Sequence, residues 1–288
     1  MKAAALNITR YFISMNAKKY IGIDNEWLWI IDLLHSSTKC NINDIQLTLM
    51  KIRINDTFSR LGDQFGLSTS QASKVFNETV KPLAYYLKTL VYCPDPSSIK
   101  KNLPVAFRAY YSHVCAIIDA FEIEIEKPSD SVQQALIWSE YKKCNTLKYL
   151  IACAPDGFII FISSGYGGRI SDTLLFQESK IMHILPEKCG IMADRGFKQI
   201  QTILNQNKCE LLRPPSISTS TKPTRQEVLK TKSIASLRIH IERVIRRVRE
   251  YKILEPHSCL DWNTMSYIDS VVTIVAGLIN LQNPIIRK

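Results

Sequence analysis

Three carboxylates stand in settings where a charge is costly unless it is used. Asp119 lies in the apolar run CAIIDAFEIEI (115–125), Asp194 follows the apolar GIMA of GIMADRGF (190–197), and Glu242 sits in RIHIERVIRRVR (238–249). A carboxylate within a buried strand must be paired or metal-bound, because an unpartnered charge is expensive to desolvate. The first two read as lying on or just after buried strands, the third on a basic helix beside its apolar stripe. Acids converging from separate elements, with arginines around them, suit two divalent ions held about 3.5–4 Å apart, one for the attacking and one for the leaving oxygen of a phosphodiester. Taken singly, each has a plainer reading. Asp119 is then satisfied by backbone amides, Asp194 opens a turn before Gly196, and Glu242 pairs with Arg238 or Arg246 one helical turn away. Their joint order, strand, strand, helix, favours the site. Asp172 in GGRISD is a further candidate ligand, competing with a role in the first turn of the following helix. The histidines are weak ligand candidates: His240 faces away from Glu242, and His113 and His183 stand alone.

The elements that must position these acids change period along the chain. Residues 26–91 read as helices: EWLWIIDLLH (26–35) and DIQLTLMKIRI (44–54) carry helical apolar stripes, and DTFSRLGDQFGLSTSQASKVFNETV (56–80) has the grammar of a helix-turn-helix. Its first helix buries Phe58, Leu61 and Phe65, Gly66 supplies the turn, and Ser68 with Gln71 forms a capping box. The second helix exposes Ser70, Gln71, Ser73, Lys74 and Asn77, side chains suited to base edges or phosphates. An ordinary helical hairpin is the alternative. From 113 the pattern becomes strand-like: HVCAIIDAFEIEIE ends in strict alternation, and TLKYLIACAPDGFIIFISS (146–164) reads as two strands joined at Pro155-Asp156-Gly157. A glycine-rich loop leads into a helix capped by Ser171. CGIMADRGF is a short central strand, and 213–232 is a Pro/Ser/Thr/Lys-rich mobile insertion before a long amphipathic helix. The expected organisation is a helical domain at 1–93 with the helix-turn-helix at about 44–80, a linker at 94–112, and an α/β mixed-sheet domain at 113–288.

Charge agrees with a polyanionic partner. The net charge is +11. Residues 1–112 hold 14 basic against 8 acidic side chains and residues 213–252 hold 11 against 3, whereas 113–212 hold 10 against 12. The acidic surplus falls where metal is expected, and the flanking basic segments suit binding through counterion release from phosphates. The phosphate-contacting candidates are Lys142, Lys143, Arg169, Arg195, Lys232, Arg238, Arg243, Arg246 and Arg247. The eight cysteines show no CxxC pair or zinc-ligand spacing, consistent with reduced thiols in an intracellular compartment. No signal peptide opens the chain, and VVTIVAGLI (271–279) is too short to span a bilayer.

In combination, IIDAFEIEIEKPSD, WSEYKKCNTLKYLIACAPDGFIIFIS, GGRISD, ADRGF and SIASLRIHIERVIRRVREYKIL resemble the DDE-type endonuclease domain of PIF/Harbinger-like transposases, closest to the animal branch often fused to a THAP zinc finger. LTLMKIRINDTFSRLGDQFGLSTSQASKVFNE resembles the helix-turn-helix that precedes it. The resemblance implies an RNase H-like fold with catalytic, metal-binding acids at Asp119, Asp194 and Glu242. It also implies Mg²⁺ or Mn²⁺, two ions, and cut-and-paste transposition in which the freed 3′-OH attacks target DNA. The expected partners are double-stranded transposon-end and target DNA, and a second copy of the chain. No zinc-finger pattern precedes residue 26, so a separate end-recognising protein is a further expected partner. Such a protein is expected in the nucleus and not at a membrane. The alternative is a domesticated DNA-binding or adaptor protein that no longer cuts. A nuclease acting on RNA fits less well, because the deep groove of A-form RNA resists side-chain readout.

Overall fold

The computed structural model describes residues 2–214 and 224–285. Two compact units emerge: Met1–Val91, Ile123–Glu126 and Arg247–Asn283 form one, and Tyr92–Glu122, Lys127–Arg246 and Pro284–Lys288 the other.

The first unit is helical. It holds α1 (Lys2–Met15), α2 (Ala17–Ile21), α3 (Trp29–Thr38), α4 (Ile42–Ile54), α5 (Phe58–Phe65) and α6 (Thr69–Leu87). α1 and α2 fall within the helical domain expected at 1–93, ahead of the patterned run at 26–91. The turn between α5 and α6 follows its sequence grammar. Thr57 caps α5, Gly66 adopts the left-handed conformation at φ 73°, and Ser68 and Gln71 form the reciprocal capping box. Later in the chain, α13 (Trp262–Met265) and the apolar α14 (Ile268–Leu281) belong to this unit, and α14 packs on α6. Tyr251 is completely buried here. Its hydroxyl donates to Gly22 O at 2.8 Å, and the Arg53 guanidinium lies 4.9 Å from its ring.

The second unit is an α/β mixed sheet. Seven strands contribute: β1 (Val114–Glu124), β2 (Trp138–Ser139), β3 (Cys144–Cys153), β4 (Ile159–Ile162), β5 (Tyr166–Gly167), β6 (Gly190–Met192) and β7 (Glu210–Leu212). The order is β2-β3-β1-β6-β7, with β4 and β5 also pairing β3. β3 is antiparallel to β2, β4 and β5, whereas β1, β6 and β7 run parallel, the RNase H-like arrangement that the resemblance implied. The β3–β4 hairpin turns at Gly157, at φ 92°. Its helices are α7 (Pro96–Lys101), α8 (Val105–Arg108), α9 (Ser131–Ile137), α10 (Asp172–Glu178), α11 (Gln201–Leu204) and most of α12 (Arg225–Val248). Ile118, Leu150, Phe176, Ile191 and Phe197 are among the fully buried side chains of its core.

Two stretches expected without regular structure carry helices, and one strand was not anticipated. The stretch expected as a linker, 94–112, carries α7 and α8, and Asp95 caps α7 through both Ser97 and Ser98 amides. The expected insertion, 213–232, is helical from Arg225 onward, because Thr224 and Glu227 close a capping box that outweighs the Pro/Thr composition just before it. Residues 215–223 of that stretch lie outside the described residues. The strand β7 was missed altogether.

Candidate functional site

Sheet register brings the first two acids together. Ile117 of β1 is paired with Met192 of β6, so Asp119 and Asp194 each lie two residues beyond that pair on adjacent parallel chains. The two-residue period puts both on the same face, Asp119 midway along β1 and Asp194 just past the carboxyl end of β6. Asp119 is mostly enclosed, its side chain 21% exposed, whereas that of Asp194 is 51% exposed. Burial pushes the Asp119 carboxyl up to about 6, against the downward pull of Arg238 and of the Ala120 amide, which donates to Oδ1 at 2.8 Å. The negative charges of Asp194 and Asp172 add to the rise. The Arg195 amide donates to Asp194 Oδ1 at 2.6 Å, so the turn reading of this residue is also part of its geometry.

One guanidinium spans the pair. Arg238, from the middle of α12, donates from Nη2 to Asp119 Oδ2 at 3.3 Å and from Nη1 to Asp194 Oδ1 at 3.1 Å. It is 9% exposed, and its Nε is buried with no hydrogen-bond partner. Arg238 was expected at DNA phosphate; here two partly desolvated carboxylates hold its guanidinium inward.

Asp172 is placed by a third element. Ser171 caps α10 through the Leu174 amide, leaving Asp172 in the first helical turn. Its carboxylate forms a 2.6 Å ion pair with Lys148 of β3, whose Nζ also donates to Ile170 O at 3.2 Å. A Cβ at Gly196 would collide with Asp172 Oδ2, so a larger residue there would require the Asp172 side chain, held by Lys148, or the Asp194 loop to shift. Lys148 escaped the sequence reading. Its signal was a lone cation inside the otherwise apolar strand TLKYLIAC.

Glu242 does not join these acids. It is exposed on α12, one turn beyond Arg238, and among the described residues no set of three His, Cys, Asp or Glu side chains stands ready to hold a metal. The helical stripe was legible, but the member of it that reaches the two aspartates is Arg238, one turn before Glu242. His240 is buried with Nδ1 at 2.7 Å from Pro155 O and its ring against Phe107, a packing role.

The basic and polar candidates fall into two groups. On α6, Ser70, Gln71 and Lys74 are exposed and Asn77 is half-buried. Gln71 Oε1 is engaged by the Ser68 amide at 2.9 Å, leaving only its NH₂ free for a ligand, and Lys74 lies 3.8 Å from Glu78. Ser73 and Asn77 line a cavity of about 800 Å³ with Phe58, Phe76, Trp262 and Tyr267. In the sheet unit, Lys142, Lys143, Arg169, Arg195, Lys232, Arg243 and Arg246 are exposed, Lys143 pairing with Glu140 at 2.9 Å. Arg247, at the end of α12, is half-buried and donates to Asn283 O at 2.7 Å.

Two family models match parts of the chain. A helix-turn-helix of DDE superfamily endonuclease matches residues 45–89. No curated protein matches the chain. Among solved structures, a chain from the crystal structure of a pre-cleavage Mos1 transpososome is similar, at 9% identity over 71% of this chain and 78% of that one, with a TM-score of 0.27. The family described as DDE superfamily endonuclease matches residues 118–280, more than half of the chain, from just before Asp119 to beyond Glu242, and the chain belongs to that family.

Proposed function

We propose that this chain cleaves DNA phosphodiester bonds as a divalent-metal-dependent transposase of the PIF/Harbinger-like branch, and joins the freed 3′-OH ends to target DNA. The observation that carries this reading is the Asp119–Asp194 pair, two carboxylates on one face of the sheet that a single guanidinium reaches together. Their hard oxygen donors fit Mg²⁺ or Mn²⁺. Asp119 and Asp194 would hold the first ion. Glu242, the family's third acid, would need to approach from the next turn of α12 to share a second. When bound, the metal supplies a water nucleophile at neutral pH and neutralises charge on the leaving oxygen.

The chain's own residues supply the rest. Lys148 ties Asp172 to the sheet, and Asp172 in turn supports the Asp194 loop at Gly196. Exposed Lys142, Lys143, Arg169, Arg195, Lys232, Arg243 and Arg246 attract the phosphate backbone without reading sequence. Ser70, Lys74 and Asn77 on α6 are offered to a duplex groove. The same reading places the protein in the nucleus, as an oligomer on DNA, working with a separate end-recognising protein.

A second reading, a DNA-binding adaptor that no longer cuts, is favoured by one observation: Glu242 stands away from the acid pair. Labelled duplex bearing the gene's own flanking sequence, incubated in Mn²⁺ or in EDTA, separates the two. Nicking in Mn²⁺ that EDTA abolishes and that Glu242→Gln reduces supports the transposase. Salt-dependent binding with no nick in either buffer supports the adaptor.

A further inference from the structure

We propose that Arg238 is a built-in counter-ion of the metal site: it holds Asp119 and Asp194 together in the metal-free protein and must be displaced when a divalent ion loads. This deepens the metal reading above and rests on it. The guanidinium reaches Asp119 Oδ2 at 3.3 Å and Asp194 Oδ1 at 3.1 Å, so it engages one oxygen of each carboxylate that would hold a divalent ion. It cannot make way by losing its proton, because arginine stays charged in proteins. Charge makes the exchange favourable. Two carboxylates with one guanidinium carry a net −1, and a divalent ion in its place brings the pair to neutrality. The neighbouring Asp172 has its own cation in Lys148 at 2.6 Å, so it does not compete with the pair for Arg238.

The device has a structural purpose. Without a cation, two aspartates on adjacent strands, one of them largely enclosed, repel each other and pull the strand ends apart. Arg238 removes that repulsion at the cost of competing with the metal. Its grip is incomplete, since Nε is buried without a partner, and an arginine with an unsatisfied donor is easier to withdraw than a fully bonded one. Released, the guanidinium carries a free positive charge at the mouth of the site where a phosphate arrives. Arg238 is therefore a positioning residue, acting through Asp119 and Asp194.

The test is Mn²⁺ binding to the full chain, read by calorimetry and by the loss of free-ion paramagnetic resonance signal. Arg238→Met should bind Mn²⁺ about tenfold more tightly than wild type, within the usual range for a coupling between two ligands of one site. It should also melt earlier than wild type in EDTA and regain more stability in Mn²⁺, a reversal that a purely structural arginine would not produce. Arg238→Lys retains the charge with a single point of contact and should fall between the two. It also serves if the methionine variant does not fold. In wild type, the Arg238 side-chain nitrogen resonances should shift as Mg²⁺ is added. Equal or weaker Mn²⁺ binding by both variants removes the counter-ion role while leaving the metal reading intact. Absence of Mn²⁺ binding in wild type and variants alike removes both.

Discussion

Between Thr57 and Gln71, each cap that shapes the helix-turn-helix closes within a few residues. Thr57 accepts from the Arg60 amide, Gly66 turns the chain, and Ser68 and Gln71 exchange bonds across one helical turn. The acid site is assembled in the opposite way. Arg238 reaches one aspartate 44 positions away and another 119 positions away, and the aspartates meet only because β1 and β6 pair in a particular register. One region is specified by local backbone chemistry, the other by tertiary pairing and charge. Local damage should therefore weaken the first gradually, whereas a small displacement should disable the second while leaving the fold standing.

The largest expected effect blurs this contrast. Phe76 is 2% exposed and packs edge-on against Tyr267, so Phe76→Ala should cost about 3–5 kcal/mol of stability. Denaturant unfolding reads this directly. A loss below about 1 kcal/mol, far under the usual range for a buried phenylalanine, would show that α6 stands on its caps alone.

Gly196→Ala is next and sharpens the comparison. Its Cβ must push Asp172 or the Asp194 loop aside, and a shift of about 1 Å in a catalytic group can cost on the order of a hundredfold in rate. Cleavage should fall by that order with little change in melting temperature. Unchanged cleavage would separate Asp172 from the positioning of Asp194.

Ser68→Ala removes the N-cap of α6 and should cost about 1 kcal/mol, with a parallel weakening of DNA binding. If cleavage of a bound duplex also collapsed, the two regions would not be independent as described. The smallest effect is expected from Lys74→Ala, an exposed side chain only loosely associated with Glu78. Binding should weaken about equally on all DNA sequences, and the salt dependence should flatten by about one unit. An unaltered slope would take Lys74 out of the interface.

The contrast also explains what could be read from the chain alone. Gly66, the Ser68–Gln71 box, the Pro155–Gly157 hairpin and the alternation of Phe121, Ile123 and Ile125 were legible because each is a short-range signal. Asp119 and Asp194 were legible as costly charges in apolar runs. That they share one face required the register, which no single strand encodes. β7 is three residues long like β6, but Glu210-Leu211-Leu212 carries no costly charge such as the Asp194 that marked the end of β6. Arg238 and Glu242 lie one turn apart on the same helix, and no periodicity says which of them meets the sheet. Lys148 was overlooked because a lone lysine in a strand has many explanations until Asp172 appears beside it.

The central claim is that Asp119 and Asp194 form a metal-holding pair that cuts DNA without being needed to bind it. Duplex binding and Mn²⁺-dependent nicking by wild type, Asp119→Asn and Asp194→Asn, measured side by side, test it most directly. Both variants should bind like wild type and cut about a thousandfold more slowly or worse, the loss of several kcal/mol of transition-state stabilisation. Nicking at the wild-type rate by either variant would contradict the account.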